Sequence, residues 1–175
     1  PRKCLDFSLF IKSIETKLRV AFDKIYFYAS YTPKKKKLTE KEKKYIINEF
    51  TFYKSVKELK KVIFFKGYRS KTSGKEKEVD VKLTADIISY AFLNKFDTVY
   101  MFTGDADFLQ ALFTIKKFHN KKKVYLLCLE NKVMYQGLFF FKSYIIYLKN
   151  KPTIARRFRN VSLLKIDSMY VSGKI

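Results

Sequence analysis

The sequence predicts one α/β domain with a mainly parallel sheet and helices on both faces. Two observations support this: short apolar strands alternate with helical segments from residue 80 onward, and 47% of the 175 residues are apolar, enough for one core. Strands separated by helices of this length pair in parallel through right-handed crossovers. We assign residues 1–149 to this domain and residues 150–175 to a basic C-terminal extension.

The first elements follow from periodicity and capping. Apolar residues at helical spacing predict a helix over 5–20, and the dense aromatic alternation of 22–29 predicts a strand. Pro33 and a lysine run end this pattern. Thr39 and Glu42 then form a capping box, which predicts a helix that runs into the mid-50s.

The middle of the chain carries a strand, a loop and a helix. Residues 62–65 are a short apolar run typical of a strand. Gly67 begins a stretch of small and basic residues that reaches Gly74 and predicts a flexible loop. Residues 80–94 have the pattern of a helix.

The later elements alternate regularly. The sequence predicts a strand over 97–102, a helix over 106–118 and a strand over 123–129. A helix over 132–141 and a short strand over 144–148 follow. This alternation is the main reason for predicting a parallel sheet.

Aspartates follow the predicted strand ends. Asp105 and Asp107 lie where the strand over 97–102 passes into the next helix. Asp80 begins the preceding helix, and Asp86 lies within it. Ligands of open α/β sheets bind outside the carboxyl ends of the strands, so these carboxylates are candidates for binding a hydrated divalent cation.

Helix capping is a second interpretation of the same acids. An aspartate before a helix satisfies free backbone amides without any chemistry, and Asp86 can pair with Lys82 one turn earlier on a solvated face. However, acids are scarce in this chain, and clustered like charges repel unless a metal neutralises them. An acidic metal pocket beside a basic surface is the layout expected of a phosphodiester nuclease.

The chain is strongly basic. Its 38 Lys and Arg residues against 16 acids give a formal net charge of +22. Nucleic acid is the expected partner, since each neutralised phosphate releases counterions, although a compositional bias toward lysine is an alternative explanation. The segment 66–77 is the best candidate for gripping phosphates, with a tyrosine able to stack on a base. The candidate nucleic-acid contacts are Tyr68, Arg69, Lys71, Lys75, Lys77 and Thr103.

Several other classes of site are not indicated. Cys4 and Cys128 lie far apart, with no disulfide or zinc spacing, which favours reduced thiols in a cytoplasmic protein. The apolar stretch 138–148 is about half the length that spans a bilayer, and no signal peptide is evident, so we expect no membrane partner. His119, the sole histidine, is expected at a helix end and is excluded from catalysis.

The stretch 75–108 resembles the NYN domain, a branch of the PIN-like nucleases. The family's Val-Asp-Val-x-Leu-x-x-Asp helix start and Ser-Gly-Asp-x-Asp-Phe turn correspond to residues 79–86 and 103–108, with Thr103 where serine is usual. Looser agreement extends over 5–148. The resemblance implies an RNA substrate and a Mg²⁺ or Mn²⁺ cofactor. It also implies these metal ligands: Asp80, Asp105 and Asp107, with Asp86 as an additional one.

One departure from the family concerns the start of the chain. Family members begin with a central strand that ends in an Asp-x-x-Asn motif and supplies another metal ligand. Here Asp6 is followed by Phe7, Ser8 and Leu9, and it is expected to start a helix. We therefore expect the family's first strand to be missing from this sequence. Loss of a central strand would leave its neighbours' edges unpaired, which favours an N-terminal segment outside this sequence.

The sequence therefore predicts a metal-dependent ribonuclease of PIN-like fold that uses Asp80, Asp105 and Asp107. The first alternative is a catalytically weak RNA-binding module of the same fold. The second is a phosphohydrolase or receiver-like domain, a class with little use for so basic a surface. Homo-oligomerisation is left open.

Overall fold

The computed structural model describes residues 6–32, 37–70, 76–102, 106–129, 145–148 and 167–172. For residues 76–77, 145–148 and 167–172 it describes the backbone only. The helices within these ranges are α1 (Phe7–Leu18), α2 (Glu40–Lys57), α3 (Val79–Phe92) and α4 (Leu109–Phe118), and a 3-10 turn (Ala106–Phe108) precedes α4. The strands are β1 (Lys24–Ser30), β2 (Val62–Arg69), β3 (Glu76–Lys77), β4 (Thr98–Phe102), β5 (Lys123–Leu129), β6 (Ile145–Leu148) and β7 (Asp167–Ser172).

The described strands form one mainly parallel sheet in the order β3-β2-β1-β7-β4-β5-β6. β1 and β2 pair in parallel, as do β4 with β5 and β5 with β6. β3 runs antiparallel to β2. The α/β class predicted from the alternation of strands and helices is confirmed.

β7 lies in the middle of this sheet and joins its two halves. It pairs antiparallel with both neighbours, so that Met169 lies opposite Tyr26 of β1 and Tyr170 lies opposite Tyr100 of β4. This strand lies within residues 150–175, which are predicted above to form a basic C-terminal extension. It pairs the edges of β1 and β4 that face each other.

Local signals explain where α1 and α2 begin. Asp6 is the N-cap of α1 and accepts a hydrogen bond from the Leu9 backbone N–H at 3.0 Å, as expected for a residue that starts a helix. Thr39 and Glu42 form the predicted capping box at the start of α2.

One predicted boundary is wrong. The sequence analysis ended the second strand at residue 65 and began a loop at Gly67, but β2 continues to Arg69. Its last two residues pair with β3, Tyr68 opposite Lys77 and Arg69 opposite Glu76. The predicted helix over 132–141 lies outside the described residues.

Apolar side chains cover both faces of the sheet. On one face α1 and α2 pack over alternate residues of β1, and on the other α3 and α4 pack over β4 and β5. Phe27 is fully buried at the centre of the first layer. Four aromatic rings lie within 6.2 Å of its ring, centroid to centroid: Phe7, Phe52, Tyr53 and Phe64. In the part of the chain that is described, no helix is both long and apolar enough to cross a membrane.

We expect Phe27→Ala to lower the free energy of unfolding by about 3–5 kcal/mol, because it removes a buried ring and leaves a cavity among rigid aromatic neighbours. Urea denaturation measures this change. Phe118→Ala is the control, since its side chain is exposed and its loss should change stability by no more than about 0.5 kcal/mol. Equal effects of the two substitutions would contradict the packing described for Phe27.

Candidate metal centre and nucleic-acid interface

The parallel strands bring several segments to one edge of the sheet, which we call the carboxyl edge. β1 ends there at Ser30, β2 at Arg69 and β4 at Phe102. β3 pairs with the last residues of β2, so α3, which follows β3 directly, also begins at this edge. The 3-10 turn that follows β4 lies there as well. The predicted aspartates belong to these segments.

Asp80 lies inside the first turn of α3. The N-cap is Glu78, which has a left-handed backbone (φ 70°) and makes no side-chain capping bond, so Asp80 does not act as the helix cap. The side chain of Asp80 is half-buried, and its Oδ1 is shielded from solvent. A carboxylate in the first turn is favoured by the positive end of the helix dipole. Asp80 therefore lies in the first turn of α3 at the carboxyl edge without being its N-cap residue.

Asp107 lies in the 3-10 turn between β4 and α4, and its side chain is exposed. The N-cap of α4 is Phe108, and it makes no side-chain capping bond. Thr103 and Asp105 lie outside the described residues. Within the described ranges, no group of three or more His, Cys, Asp or Glu side chains could hold a metal ion. The meeting of the three aspartates thus stays a prediction.

Asp86 is tied into the protein by two hydrogen bonds. Its carboxylate accepts one from the Tyr28 hydroxyl at 2.7 Å and one from the Lys82 Nζ at 2.5 Å. Burial, followed by the hydrogen bond to Asp86, raises the pKa of Tyr28, and the same carboxylate raises the pKa of Lys82. The pairing with Lys82 is confirmed, but the Asp86 side chain is only 13% exposed rather than solvated. Its role as a metal ligand stays a prediction.

The candidate nucleic-acid contacts are placed in part. Tyr68 is 54% exposed near the end of β2. The Arg69 Nε donates a hydrogen bond to Ser30 Oγ at 2.8 Å, which joins the ends of β1 and β2. Lys77 lies in β3, for which only the backbone is described. Lys71 and Lys75 fall outside the described residues. Tyr68 and Arg69 thus stand on a strand rather than on the loop predicted for them.

The fold and the acids at its carboxyl edge define a PIN-like α/β domain. A family model described as the NYN domain matches residues 1–148, and the chain belongs to that family. NYN domains are nuclease-like, which supports a hydrolase role directed at nucleic acid, and PIN-like nucleases generally use divalent metal ions. No curated protein and no solved structure gives a significant match to this chain.

Glu49 is a carboxylate at the same edge that the sequence analysis did not single out. It is 5% exposed, and it accepts hydrogen bonds from the backbone N–H of Thr32 at 2.9 Å and from the Thr32 hydroxyl at 3.0 Å. Thr32 directly follows β1, so Glu49 fastens α2 to the chain leaving that strand. A signal was present, since Glu49 shares the buried face of α2 with Phe52, Tyr53 and Val56.

His119 lies away from this edge. It is the C-cap of α4, as expected for a residue at a helix end, and its ring packs edge-on against Phe92 with centroids 4.5 Å apart. This packing gives the histidine a structural role.

Burial raises the pKa of Glu49 above its ordinary value of 4.5, against the lowering effect of its hydrogen bonds with Thr32 and of nearby Arg69. The folded state therefore binds this proton more tightly than the unfolded state. The resulting stability is fully present below the ordinary pKa and is lost as the pH rises through the raised one.

We expect Glu49→Gln to remove this component. The variant's free energy of unfolding, minus that of the wild type, should increase with pH from about 4.5 through the raised pKa. Urea denaturation at a series of pH values measures the difference. A difference that stays constant across this window would show that Glu49 does not titrate as described.

Proposed function

We propose that this protein is a ribonuclease that hydrolyses phosphodiester bonds with Mg²⁺ or Mn²⁺ held by Asp80, Asp105 and Asp107. The observation that carries the proposal is the position of Asp80 and Asp107, each in the first turn after a strand at the carboxyl edge and neither at the N-cap position of its α-helix. The membership of the NYN family and the net charge of +22 support it.

The residues fit a hard divalent cation. All three proposed ligands are carboxylates, the oxygen donors that Mg²⁺ and Mn²⁺ prefer. The shielded Oδ1 of Asp80 fits an inner position of such a site. A bound cation would supply an activated water and would stabilise the leaving oxygen.

The protein's own contacts hold the first proposed ligand in place. The hydrogen bond from Tyr28 to Asp86 joins the second turn of α3 to β1 across the buried layer. Since Asp80 lies six residues earlier on the same helix, this contact fixes the height of Asp80 above the sheet. We assign Asp86 this positioning role in addition to its predicted one.

A catalytically weak RNA-binding module is the second candidate. The observation that favours it is the engagement of the Asp86 carboxylate by Tyr28 and Lys82, which competes with metal binding by that residue. A site with fewer free carboxylates would bind metal more weakly, while the basic surface would still attract phosphates.

The family resemblance favours RNA over DNA as the substrate. A location in the cytoplasm agrees with the wide spacing of Cys4 and Cys128, which suits reduced thiols.

Incubation with labelled single-stranded RNA and Mn²⁺ tests the proposal. Asp80→Asn, Asp105→Asn and Asp107→Asn should each lower the cleavage rate at least about 100-fold, since even outer partners of metal ligands contribute about 10- to 100-fold. EDTA should abolish cleavage by the wild type.

Asp97→Asn is the matched control. Asp97 is exposed just before β4, at the opposite edge of the sheet, and its loss removes the same charge without touching the proposed site. RNA binding without any cleavage by the wild type would favour the binding module. Equal rates for Asp97→Asn and the three site variants would exclude the proposed ligands.

A further inference from the structure

We propose that a stripe of four residues beside β2 binds the backbone and a base of single-stranded RNA and leads the RNA toward the carboxyl edge. Its residues are Tyr31 just after β1, Lys57 at the end of α2, and Lys66 and Tyr68 on β2. The direction of this path rests on the proposed ribonuclease function. Binding by the stripe does not, because it requires neither the metal nor the aspartates. We call these four residues the β2 stripe.

Strand geometry gives the stripe its shape. Side chains two apart on a strand share a face, so Phe64, Lys66 and Tyr68 lie on the face of β2 that packs toward α2. Phe64 stacks on Phe27, which anchors this face to the core. Lys66 and Tyr68 are exposed beyond it.

Two lysines converge on one tyrosine ring. The Lys57 Nζ lies 5.3 Å from the centroid of the Tyr31 ring and donates a hydrogen bond to its hydroxyl at 2.9 Å. The Lys66 Nζ lies 4.9 Å from the same centroid. The Lys57 Nζ also lies 4.5 Å from the Phe64 ring. Aromatic rings attract ammonium groups, so these contacts hold two positive charges against the same tyrosine.

No carboxylate of the described residues neutralises this pair. Ion pairs with acids are made by Lys43, Lys61 and Lys82, among others, and within the described residues none involves Lys57 or Lys66. Two neighbouring ammonium groups repel each other, and an anion placed between them relieves that repulsion. A phosphate of the RNA backbone is the anion whose binding also releases counterions.

Tyr68 extends the stripe from charge to base contact. It lies two residues beyond Lys66, about 7 Å farther along the strand toward the carboxyl edge. Tyr68 is 54% exposed, which leaves its ring accessible to a base. An exposed aromatic next to a phosphate-binding lysine pair is the arrangement on which single-stranded bases stack.

Fluorescence anisotropy with a labelled single-stranded RNA, at a series of salt concentrations in EDTA, tests the charged part of the stripe. Each protein carries Asp107→Asn to prevent cleavage. For single strands the slope of log affinity against log salt is about 0.7 per phosphate contact. Since Lys57 and Lys66 share one phosphate, Lys57→Gln with Lys66→Gln should make the slope shallower by about 0.7.

Lys95→Gln with Lys121→Gln is the matched control. Both residues are exposed in the loops that precede β4 and β5, at the opposite edge, and the pair removes the same total charge. Circular dichroism and a melting curve establish that each double variant is folded. If the two double variants have the same slope, the stripe is not the binding surface.

Tyr68→Ala tests the stacking part. We expect it to weaken binding about 5- to 150-fold, the effect of losing one stacked base, with the salt slope unchanged. Tyr68→Phe should keep the affinity. Unchanged affinity for Tyr68→Ala would overturn the base contact.

Failure of the stripe proposal and failure of the ribonuclease proposal can be told apart. Salt-dependent binding through the lysines by a protein that never cleaves RNA would support the stripe and refute the ribonuclease proposal.

Discussion

The parallel direction of β1, β2, β4 and β5 is the constraint on which the rest of the structure depends. Parallel strands need long crossover connections, and α2, α3 and α4 lie in these connections. Apolar residues of the same helices cover the faces of the sheet. Each helix that follows a strand must begin near the end of that strand. Asp80 and Asp107 come to a common edge for this reason, although they belong to different segments of the chain.

A partly buried set of hydrogen bonds joins α3 to β1 on one face of the sheet. Asp86 would be costly to bury by itself, but the Tyr28 hydroxyl and the Lys82 ammonium satisfy its carboxylate. Tyr28 belongs to a strand and Asp86 to a helix, so the contact fixes α3 relative to β1 as apolar packing alone would not. The same contact limits what Asp86 can do, because a carboxylate that already accepts two strong hydrogen bonds must give up at least one to bind a cation.

Local signals in the sequence were enough to predict α1 to α4, whereas long-range pairing decided the points that were missed. The capping box at Thr39 and Glu42 specifies the start of α2 from neighbouring residues only. β2 passes through Gly67, a residue typical of turns, because its end pairs with β3. β7 depends on partners about 70 residues or more away in sequence, which no local pattern reveals. At the candidate site, the predicted Asp86–Lys82 pair is a local contact within one helix. The Tyr28 hydroxyl that also donates to Asp86 lies 58 residues away in the sequence, so no local pattern predicts it.

The separation of charges within the fold bears on how such a domain can act on a polyanion. Acids that bind metal must stand apart from lysines, or ion pairs would occupy them, as Lys82 occupies Asp86. Lysines that bind phosphate must in turn stand apart from acids, as Lys57 and Lys66 do around Tyr31. The sheet separates these acids from these lysines, since α3 and α2 pack on its opposite faces. The proposed binding surface and the proposed metal centre then rest on different elements, so we expect substitutions on α3 to weaken the metal centre without removing nucleic-acid binding along β2.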